Sequence, residues 1–381
     1  MKIIKRLIIL IIAFIVLTVF PEMVLAGPAV QSQYYCLIDR DTGQIILSKN
    51  ADVERQIAST TKMVTAILAV EYAAPEEIAE VSENADHTPE YTIGLKAGQQ
   101  ISMCELMKAA LVRSSNDAAV VIAEHVAGDE ALFAWLMSKK AFALGAMNTR
   151  FMNASGLPAS GHYSTAYDLA HIGQVALSKP AIAALVASHQ VTFKHPAYRE
   201  PLTLRNTNSL LQTYPGSNGI KTGTADAAGK CLVASASRNG RNLIAVVLHS
   251  SNRNGDCTNL LNYGFNQCSL QKIIDKNTVF KSIKLEKGKK SYVDVGCSED
   301  ISILMGNDKL DIQKLVTIQY DLHAPITKGQ KVGKIDLLIA GNYYRTVDLI
   351  CLGSVEQESG LVKKSLQHLL QFKGKEPVVK N

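Results

Sequence analysis

Residues 231–248 read CLVASASRNGRNLIAVVL: two apolar runs, Cys231 to Ser237 and Leu243 to Leu248, flank Arg238-Asn239-Gly240-Arg241. Asn-Gly supplies the two left-handed residues that a tight hairpin turn requires, so this stretch predicts a pair of antiparallel strands. A second hairpin signal stands near the start of the chain, where Tyr35-Cys36-Leu37-Ile38-Asp39 and Gln44-Ile45-Ile46-Leu47 are joined by Arg40-Asp41-Thr42-Gly43. Between the two the pattern is helical. Thr60 to Tyr72, Cys104 to Val112, Asp117 to Val126, Glu130 to Leu144 and Thr165 to Leu177 carry apolar residues at i, i+3 and i+4, several behind a Ser, Asp or Thr cap. From Gly216 the pattern is β, and Leu260 to Phe265 closes the region with a helix. Strands first, helices next and strands last predict an α+β domain, a mainly antiparallel sheet with helices packed against it.

Working outward, the composition changes beyond about Lys272. Ser282 to Leu285, Ser291 to Val295, Val316 to Tyr320, Lys334 to Ile339 and Thr346 to Ile350 are short alternating runs separated by Gly and Asp turns, the signature of a small all-β domain. A chain of 381 residues suits such a division, since a catalytic domain of about 250 residues leaves room for a smaller one. At the N-terminus, Lys2, Lys5 and Arg6 precede the apolar run Leu7 to Phe20, and Val24-Leu25-Ala26 offers small residues for cleavage, which reads as a secretory leader. At the other end, Ser359 to Phe372 projects Leu361, Val362, Leu366, Leu369, Leu370 and Phe372 onto one half of a helix and Lys363, Lys364, Gln367, His368 and Gln371 onto the other. The expected organisation is a leader at 1–26, a catalytic domain at 27–271, a β-sandwich-like domain at 272–355 and an amphipathic tail at 356–381. The tail is expected to lie on a membrane surface.

Composition excludes several classes. Nearly half the residues are hydrophobic (47%) and 19% are charged, which describes a chain with a sizeable core rather than a disordered one. The net charge of +6 falls further once the leader is set aside, and no basic stripe interleaved with aromatics is present, so nucleic acid is not an expected partner. The seven cysteines are odd in number, scattered and without a CxxC pair, so no disulfide framework is expected. HExxH is absent and no His/Cys/Glu spacing suits zinc; neither a metal nor another cofactor is expected.

Three short motifs occur in order: Ser59-Thr60-Thr61-Lys62, Ser114-Ser115-Asn116 and Lys221-Thr222-Gly223. This trio is a known signature of penicillin-binding proteins and class A β-lactamases, with the first serine as nucleophile. Singly the motifs are weak. Ser59 with Lys62 also reads as a helix cap with a surface lysine, Ser115 or Asn116 as an ordinary N-cap, and the chain holds a second SxxK at Ser269 to Lys272 and a second SxN at Ser250 to Asn252. Order separates the sets, because nothing after Ser269 completes a trio and Ser250 follows the Lys-Thr-Gly. The chemistry supports the first set. Ser59 and Lys62 share a helix face, an amine takes a hydroxyl proton only when burial or a neighbouring cation lowers its pKa, and Lys221 is a candidate for that cation. A helix N-terminus at Ser59 would aim backbone N–H groups at an oxyanion. Gly223 permits close backbone approach, while Lys221 and Thr222 can hold a carboxylate.

With these residues in place, the sequence resembles the low-molecular-mass penicillin-binding D-alanyl-D-alanine carboxypeptidases. The likeness runs through Ile57-Ala58-Ser59-Thr60-Thr61-Lys62-Met63, Ser115-Asn116-Asp117-Ala118-Ala119, Gly156-Leu157, His162 to Leu169, Gly219-Ile220-Lys221-Thr222-Gly223 and Leu232 to Ala236, and covers most of residues 34 to 270. It implies a penicillin-binding/β-lactamase-like catalytic domain followed by a small all-β domain. It also implies hydrolysis of the terminal D-alanine of peptidoglycan stem peptides, acylation by β-lactams, and action outside the cytoplasmic membrane. Residue by residue, it implies that Ser59 is acylated, Lys62 is its base, Ser114 passes a proton to the leaving group and Asn116 orients the substrate amide. Lys221, Thr222 and Gly223 would form the carboxylate site with Arg253 nearby, and the backbone N–H groups of Ser59 and Thr224 would form the oxyanion hole. Two departures, Thr224-Ala225 and Asn218, bear on substrate preference and deacylation. The competing readings are a β-lactamase, a D,D-endopeptidase and a catalytically inactive wall-binding protein.

Overall fold

The computed structural model describes residues 27–306 and 310–358. The expected leader at 1–26 and most of the expected amphipathic tail, from 359 onward, lie outside the described residues. The chain divides into two compact units. The first runs through Ser269 and includes a short return stretch from Leu304 to Leu310; the second comprises Leu270–Ile303 and the chain from Asp311.

The first unit is built on a five-stranded antiparallel sheet. Its strands are β1 (Tyr34–Asp39), β2 (Ile45–Lys49), β3 (Ser217–Ala225), β4 (Gly229–Arg238) and β5 (Arg241–Ser250), in the order β2-β1-β5-β4-β3. The β4–β5 turn is the Asn239-Gly240 pair, with φ of 51° and 76°, as a type I′ hairpin demands. Side chains alternate across the sheet. Leu37, Leu232, Ala234, Leu243, Ala245 and Val247 pack with Leu260, Leu261 and Tyr263 of the helix Arg253–Asn266. Their neighbours face the other way, where Gly173 of the helix Ala166–Ser178 comes so close that a Cβ there would stand 3.0 Å from Ile220 Cδ1 and 3.2 Å from Val233 Cγ1.

On that second face lies the helical layer. Its centre is α1 (Lys62–Tyr72), buried from Lys62 to Ala69, and α2 (Asn116–Ala127) is buried from Asn116 to Ala123. The long sequence-predicted helices are present, with two local differences. A 3-10 turn, Ala58–Thr61, precedes α1, so Ser59 sits in that turn rather than in the first α-turn. The expected helix from Cys104 to Val112 is α-helical only over Met103–Lys108 and widens into a π-helical turn over Ala109–Arg113. Not anticipated were the helix Pro180–Ala187 and two small strand pairs, Ile78–Glu80 with Gln100–Ser102 and Gln190–Phe193 with Leu202–Arg205.

The second unit carries a six-stranded sheet of β6 (Val279–Glu286), β7 (Tyr292–Cys297), β8 (Ile312–Ile318), β9 (Leu322–His323), β10 (Lys331–Ile339) and β11 (Asn342–Cys351). Its order is β8-β10-β11-β7-β6-β9, antiparallel except for the β6–β9 pair. Ile335, Leu337 and Ile339 with Val347, Leu349 and Cys351 form the buried alternation that the sequence predicts for an all-β unit. All seven cysteines are free thiols; Cys104 is exposed and the others are buried.

Candidate active site

Ala58, at a φ of +46°, bends the chain into the turn that carries Ser59. Hydroxyls tie the turn: Thr60 Oγ1 donates to Ile57 O at 2.7 Å and Thr61 Oγ1 to Ala58 O at 2.8 Å. Thr61 Oγ1 is also 2.8 Å from His162 Nε2, while His162 Nδ1 accepts the Met152 N–H at 3.2 Å. Since Nδ1 accepts, the ring proton sits on Nε2 and is donated to Thr61. Burial lowers the His162 pKa to about 4, so the ring is neutral and structural at physiological pH.

Lys62 is fully buried, and its Nζ meets Ser59 Oγ at 2.9 Å, Asn116 Oδ1 at 2.6 Å and the Ser155 carbonyl at 2.7 Å. Burial first, and the charge of Lys221 second, push its pKa well below the ordinary lysine value, with Asp117 opposing. In the neutral form of the amine, the partners dictate the proton arrangement. A neutral amine has two protons and one lone pair; a carbonyl and an amide oxygen can only accept, so both protons go to Ser155 and Asn116. The lone pair is left for the Ser59 hydroxyl, which is the geometry of a general base.

The π-helical turn delivers Ser114 in a left-handed conformation, φ 72°, between that turn and α2. There its Oγ accepts from Lys221 Nζ at 2.7 Å. Lys221, on β3, is buried and also donates to Thr222 O at 3.1 Å; burial first and Arg253 second lower its pKa to about 7. Ser115 caps α2 through its backbone only, its hydroxyl being bonded to Asp117. Asp117 in turn accepts the backbone N–H groups of Ile93, Gly94 and Leu95, each at 3.1 Å to Oδ2. Asn116 completes this wall: its backbone N–H donates to Tyr91 O at 2.9 Å and its Nδ2 to Glu90 O at 3.1 Å.

Glycines let the walls close on the nucleophile. A Cβ on Gly223 would lie 2.8 Å from Ile57 O and 3.1 Å from Ser59 N, and one on Gly156 would fall 2.0 Å from Ala58 O. Arg253 Nη1 donates to Gly223 O at 2.8 Å and Thr224 Oγ1 at 2.9 Å, anchoring the end of β3. Two cavities meet at Ser59. One, of about 180 Å³, is lined by Arg113, Ser114, Thr207, Thr222, Gly223, Thr224 and Arg253. The other, of about 860 Å³, runs past Glu90, Tyr91, Asn116, Leu157, Thr224 and Asp226.

All nine sequence-predicted site residues therefore gather in one region. Lys221 is set behind Ser114 instead of lining either cavity, whereas Arg253 lines the smaller one. Sequence reasoning missed the Ser155 carbonyl, Tyr91 and Thr207, whose Oγ1 is 2.7 Å from Thr222 Oγ1. A backbone acceptor leaves no mark on residue type, and Thr207 lies within an unremarkable Asn-Thr-Asn. The alternative trio has no such assembly: Ser269 is exposed at the start of a strand, and Ser250 is buried with its hydroxyl on Asp256 at 2.7 Å. Among the described residues no cluster of His, Cys, Asp and Glu suits a metal.

Comparison with known proteins gives the same picture from a different direction. Residues 22–252 match the family described as D-alanyl-D-alanine carboxypeptidase, and residues 269–357 match the C-terminal domain of penicillin-binding protein 5. The chain is 35% identical to the D-alanyl-D-alanine carboxypeptidase DacF of Bacillus subtilis over 79% of this chain and 80% of that protein. It is 31% identical to DacC of Escherichia coli over 88% and 87%. Among solved structures it is similar to the D-alanyl-D-alanine carboxypeptidase DacD from Francisella tularensis, with a TM-score of 0.69 at 25% identity over 87% of this chain and 95% of that one. Penicillin-binding protein 5 from Haemophilus influenzae gives a TM-score of 0.65 at 27% identity over 87% and 99%.

Proposed function

The chain belongs to the D-alanyl-D-alanine carboxypeptidase family of serine peptidases, and from that membership we propose that it removes the terminal D-alanine of peptidoglycan stem peptides through an acyl-enzyme on Ser59. The observation that carries this reading is the placement of Lys62 Nζ 2.9 Å from Ser59 Oγ, with its other two contacts made to the acceptors Asn116 Oδ1 and Ser155 O.

In the proposed sequence, Lys62 takes the Ser59 proton as Oγ attacks the carbonyl of the penultimate D-alanine. The negative charge on the carbonyl oxygen is stabilised by the backbone N–H groups of Ser59 and Thr224. Ser114, hydrogen-bonded to Lys221, delivers a proton to the departing D-alanine nitrogen as the C–N bond breaks. Lys62 passes the proton it took to Ser114; water then attacks the ester with Lys62 accepting its proton, and that proton returns to Ser59 Oγ as the ester C–O bond breaks. Arg253, Thr222 and Thr224 hold the terminal carboxylate from the smaller cavity, and the Lys221 ammonium adds its field from behind Ser114. Gly223 leaves room for this approach. Asn116 keeps Lys62 aimed and borders the track of the substrate amide. β-Lactams enter the same path and leave a ring-opened ester on Ser59.

We assign the catalytic domain to 27–271 and the β domain to 272–355. Export by the 1–26 leader and membrane attachment through 356–381 complete the proposal, placing the reaction at the outer face of the cytoplasmic membrane. The test of the reaction is mass spectrometry of a synthetic stem pentapeptide after incubation with the enzyme. Loss of one alanine is expected; an unchanged peptide, or cleavage elsewhere, overturns the assignment. For the tail, protein ending at Ser354 is expected to partition into anionic liposomes less than the full mature chain, and equal partition removes the membrane role.

A further inference from the structure

The helix Glu130–Ala143 carries two apolar stripes, and the first unit covers one of them. Phe133, Ala134, Met137 and Ala141 are buried. Leu132, Trp135 and Phe142 share the opposite side of the helix with Lys139, at i, i+3, i+10 and i+7, and stand in the open, Trp135 55% and Phe142 61% exposed. Beyond the helix, Met147, 60% exposed, and Met152 extend the patch, and with Trp135 and Phe142 they border a cavity of about 420 Å³. The charges that line this cavity have one sign: Lys139 and Arg150 are both there, and no described lining residue is acidic. Lys139 Nζ stands over the Trp135 ring at 5.4 Å, and among the described residues neither cation pairs with a carboxylate. The carboxylates at the start of the helix are engaged elsewhere, Asp129 accepting the Leu132 N–H at 2.9 Å and Glu130 the Ala154 N–H at 3.0 Å.

We propose that this face rests on an anionic lipid membrane, with Trp135, Phe142 and Met147 entering the headgroup boundary and Lys139 and Arg150 taking lipid phosphates. The contact is separate from the amphipathic tail and from the reaction at Ser59. Charge complementarity carries it: an exposed apolar patch marks an interaction site of some kind, and two unpaired cations in its cavity select a negative surface. Tryptophan, with an apolar body and one polar N–H, suits the boundary between headgroup and acyl chain. A lysine whose stem follows that ring keeps its ammonium at the level of the phosphates. A saccharide fits less well, because the hydroxyls that could read it are bonded within the protein, Ser138 Oγ to Ala134 O at 3.0 Å and Thr149 Oγ1 to Asp168 Oδ2 at 2.6 Å. The chain from 151 to 158 leads from this face, where Met152 lines the cavity, to the cleft, where Leu157 and Pro158 line the larger one. Docking here therefore holds the mouth of the cleft at a set height above the lipid.

Trp135 is the only tryptophan in the chain, so its fluorescence reports this face and not the tail. The full mature chain is titrated with vesicles of phosphatidylcholine containing phosphatidylglycerol at about one part in three, with brominated acyl chains in a parallel series. Trp135 emission is expected to move to shorter wavelength and to be quenched by the bromines. In the Lys139→Gln, Arg150→Gln double variant the lipid concentration at half-change should rise by about tenfold or more, since each basic residue near an anionic surface contributes about fivefold. Both side chains are exposed, and thermal melts matching the wild type show that the variant is folded. Protein that sediments with the vesicles while Trp135 emission stays unchanged is held by the tail alone, which overturns the inference. Failure to sediment at all, or a half-change point unmoved in the double variant, does the same. A Trp135 shift with soluble wall glycan fragments and none with vesicles would assign the face to glycan and reject the membrane.

Discussion

In the proposed reaction Lys62 acts on Ser59 because Asn116 and Ser155 take up its two protons, and Ser59 differs from the other serines in that arrangement rather than in its own type. Ser59→Ala is therefore expected to abolish covalent penicillin labelling, whereas Ser269→Ala, at an exposed strand start, leaves it intact; a folded Ser59→Ala protein that still labels refutes the assignment. The two lysines also set the pH dependence. Lys62 must be neutral to accept a proton, so activity rises with pH as its depressed pKa is passed. Lys221 must be charged to attract a carboxylate, so kcat/KM, which reports the free enzyme, should fall as pH rises through about 7. A bound carboxylate stabilises the ammonium, which moves the corresponding limb of kcat to higher pH. In Lys221→Ala that descending limb should vanish, with turnover lower by about a hundredfold, the loss expected when a charged donor bonded to Ser114, the proposed proton carrier, is removed. A pH profile keeping the limb near 7 in the variant would assign it to another group.

At the scale of elements, the approach of β3 to the Ser59 turn depends on the absence of a side chain at Gly223. Gly223→Ala would force the strand or the turn to move by several tenths of an ångström, and misplacement of a reacting group on that scale slows acylation by about tenfold to a hundredfold. Gly240→Ala provides the contrast: its Cβ would meet nothing within 4 Å, so the left-handed φ of 76° costs about 1 kcal/mol of stability and leaves acylation alone. Stopped-flow penicillin acylation beside thermal melts separates the two, and equal acylation rates would remove the packing argument. The contrast also marks what residue order could convey. The hairpin at Asn239-Gly240 and the long helices were legible because turn chemistry and apolar period are local signals. The 3-10 turn at Ser59 and the π-helical turn at Ala109–Arg113 were not, since both arise where tertiary packing overrides helical periodicity. The helix Pro180–Ala187 escaped because Pro180 reads as a breaker unless it occupies the first helical turn, where its missing N–H is harmless. The nine candidate residues that gather around Ser59 could be named from three motifs and a resemblance; the placement of Lys221 behind Ser114 required coordinates.

For the whole molecule, the division of the chain is less linear than the expected boundary at 271/272. Leu304 belongs to the first unit, and Gln44, buried near the β1–β2 turn, donates to Leu304 O and accepts from Leu304 N, both at 2.7 Å. A fragment of residues 27–271 would leave Gln44 Oε1 without its partner, at about 1–3 kcal/mol, would reduce its Nε2 to the Ile45 carbonyl at 3.2 Å, and would also lose the packing of Leu304. It should melt several degrees below the mature chain. Gln44→Leu should raise the melting point of the fragment and lower that of the full chain; a substitution with the same sign in both would refute this account. The free thiols, finally, make each unit its own clock. Among the seven, Cys104 should be alkylated at once, while the buried ones react only as their surroundings open. Cys231 and Cys257 time the first unit, Cys297 and Cys351 the second. Saturation with penicillin, which in the proposed reaction bonds to Ser59 of the folded first unit, should slow the first pair and leave the second unchanged, so mass-resolved alkylation reveals whether the two units breathe together or apart.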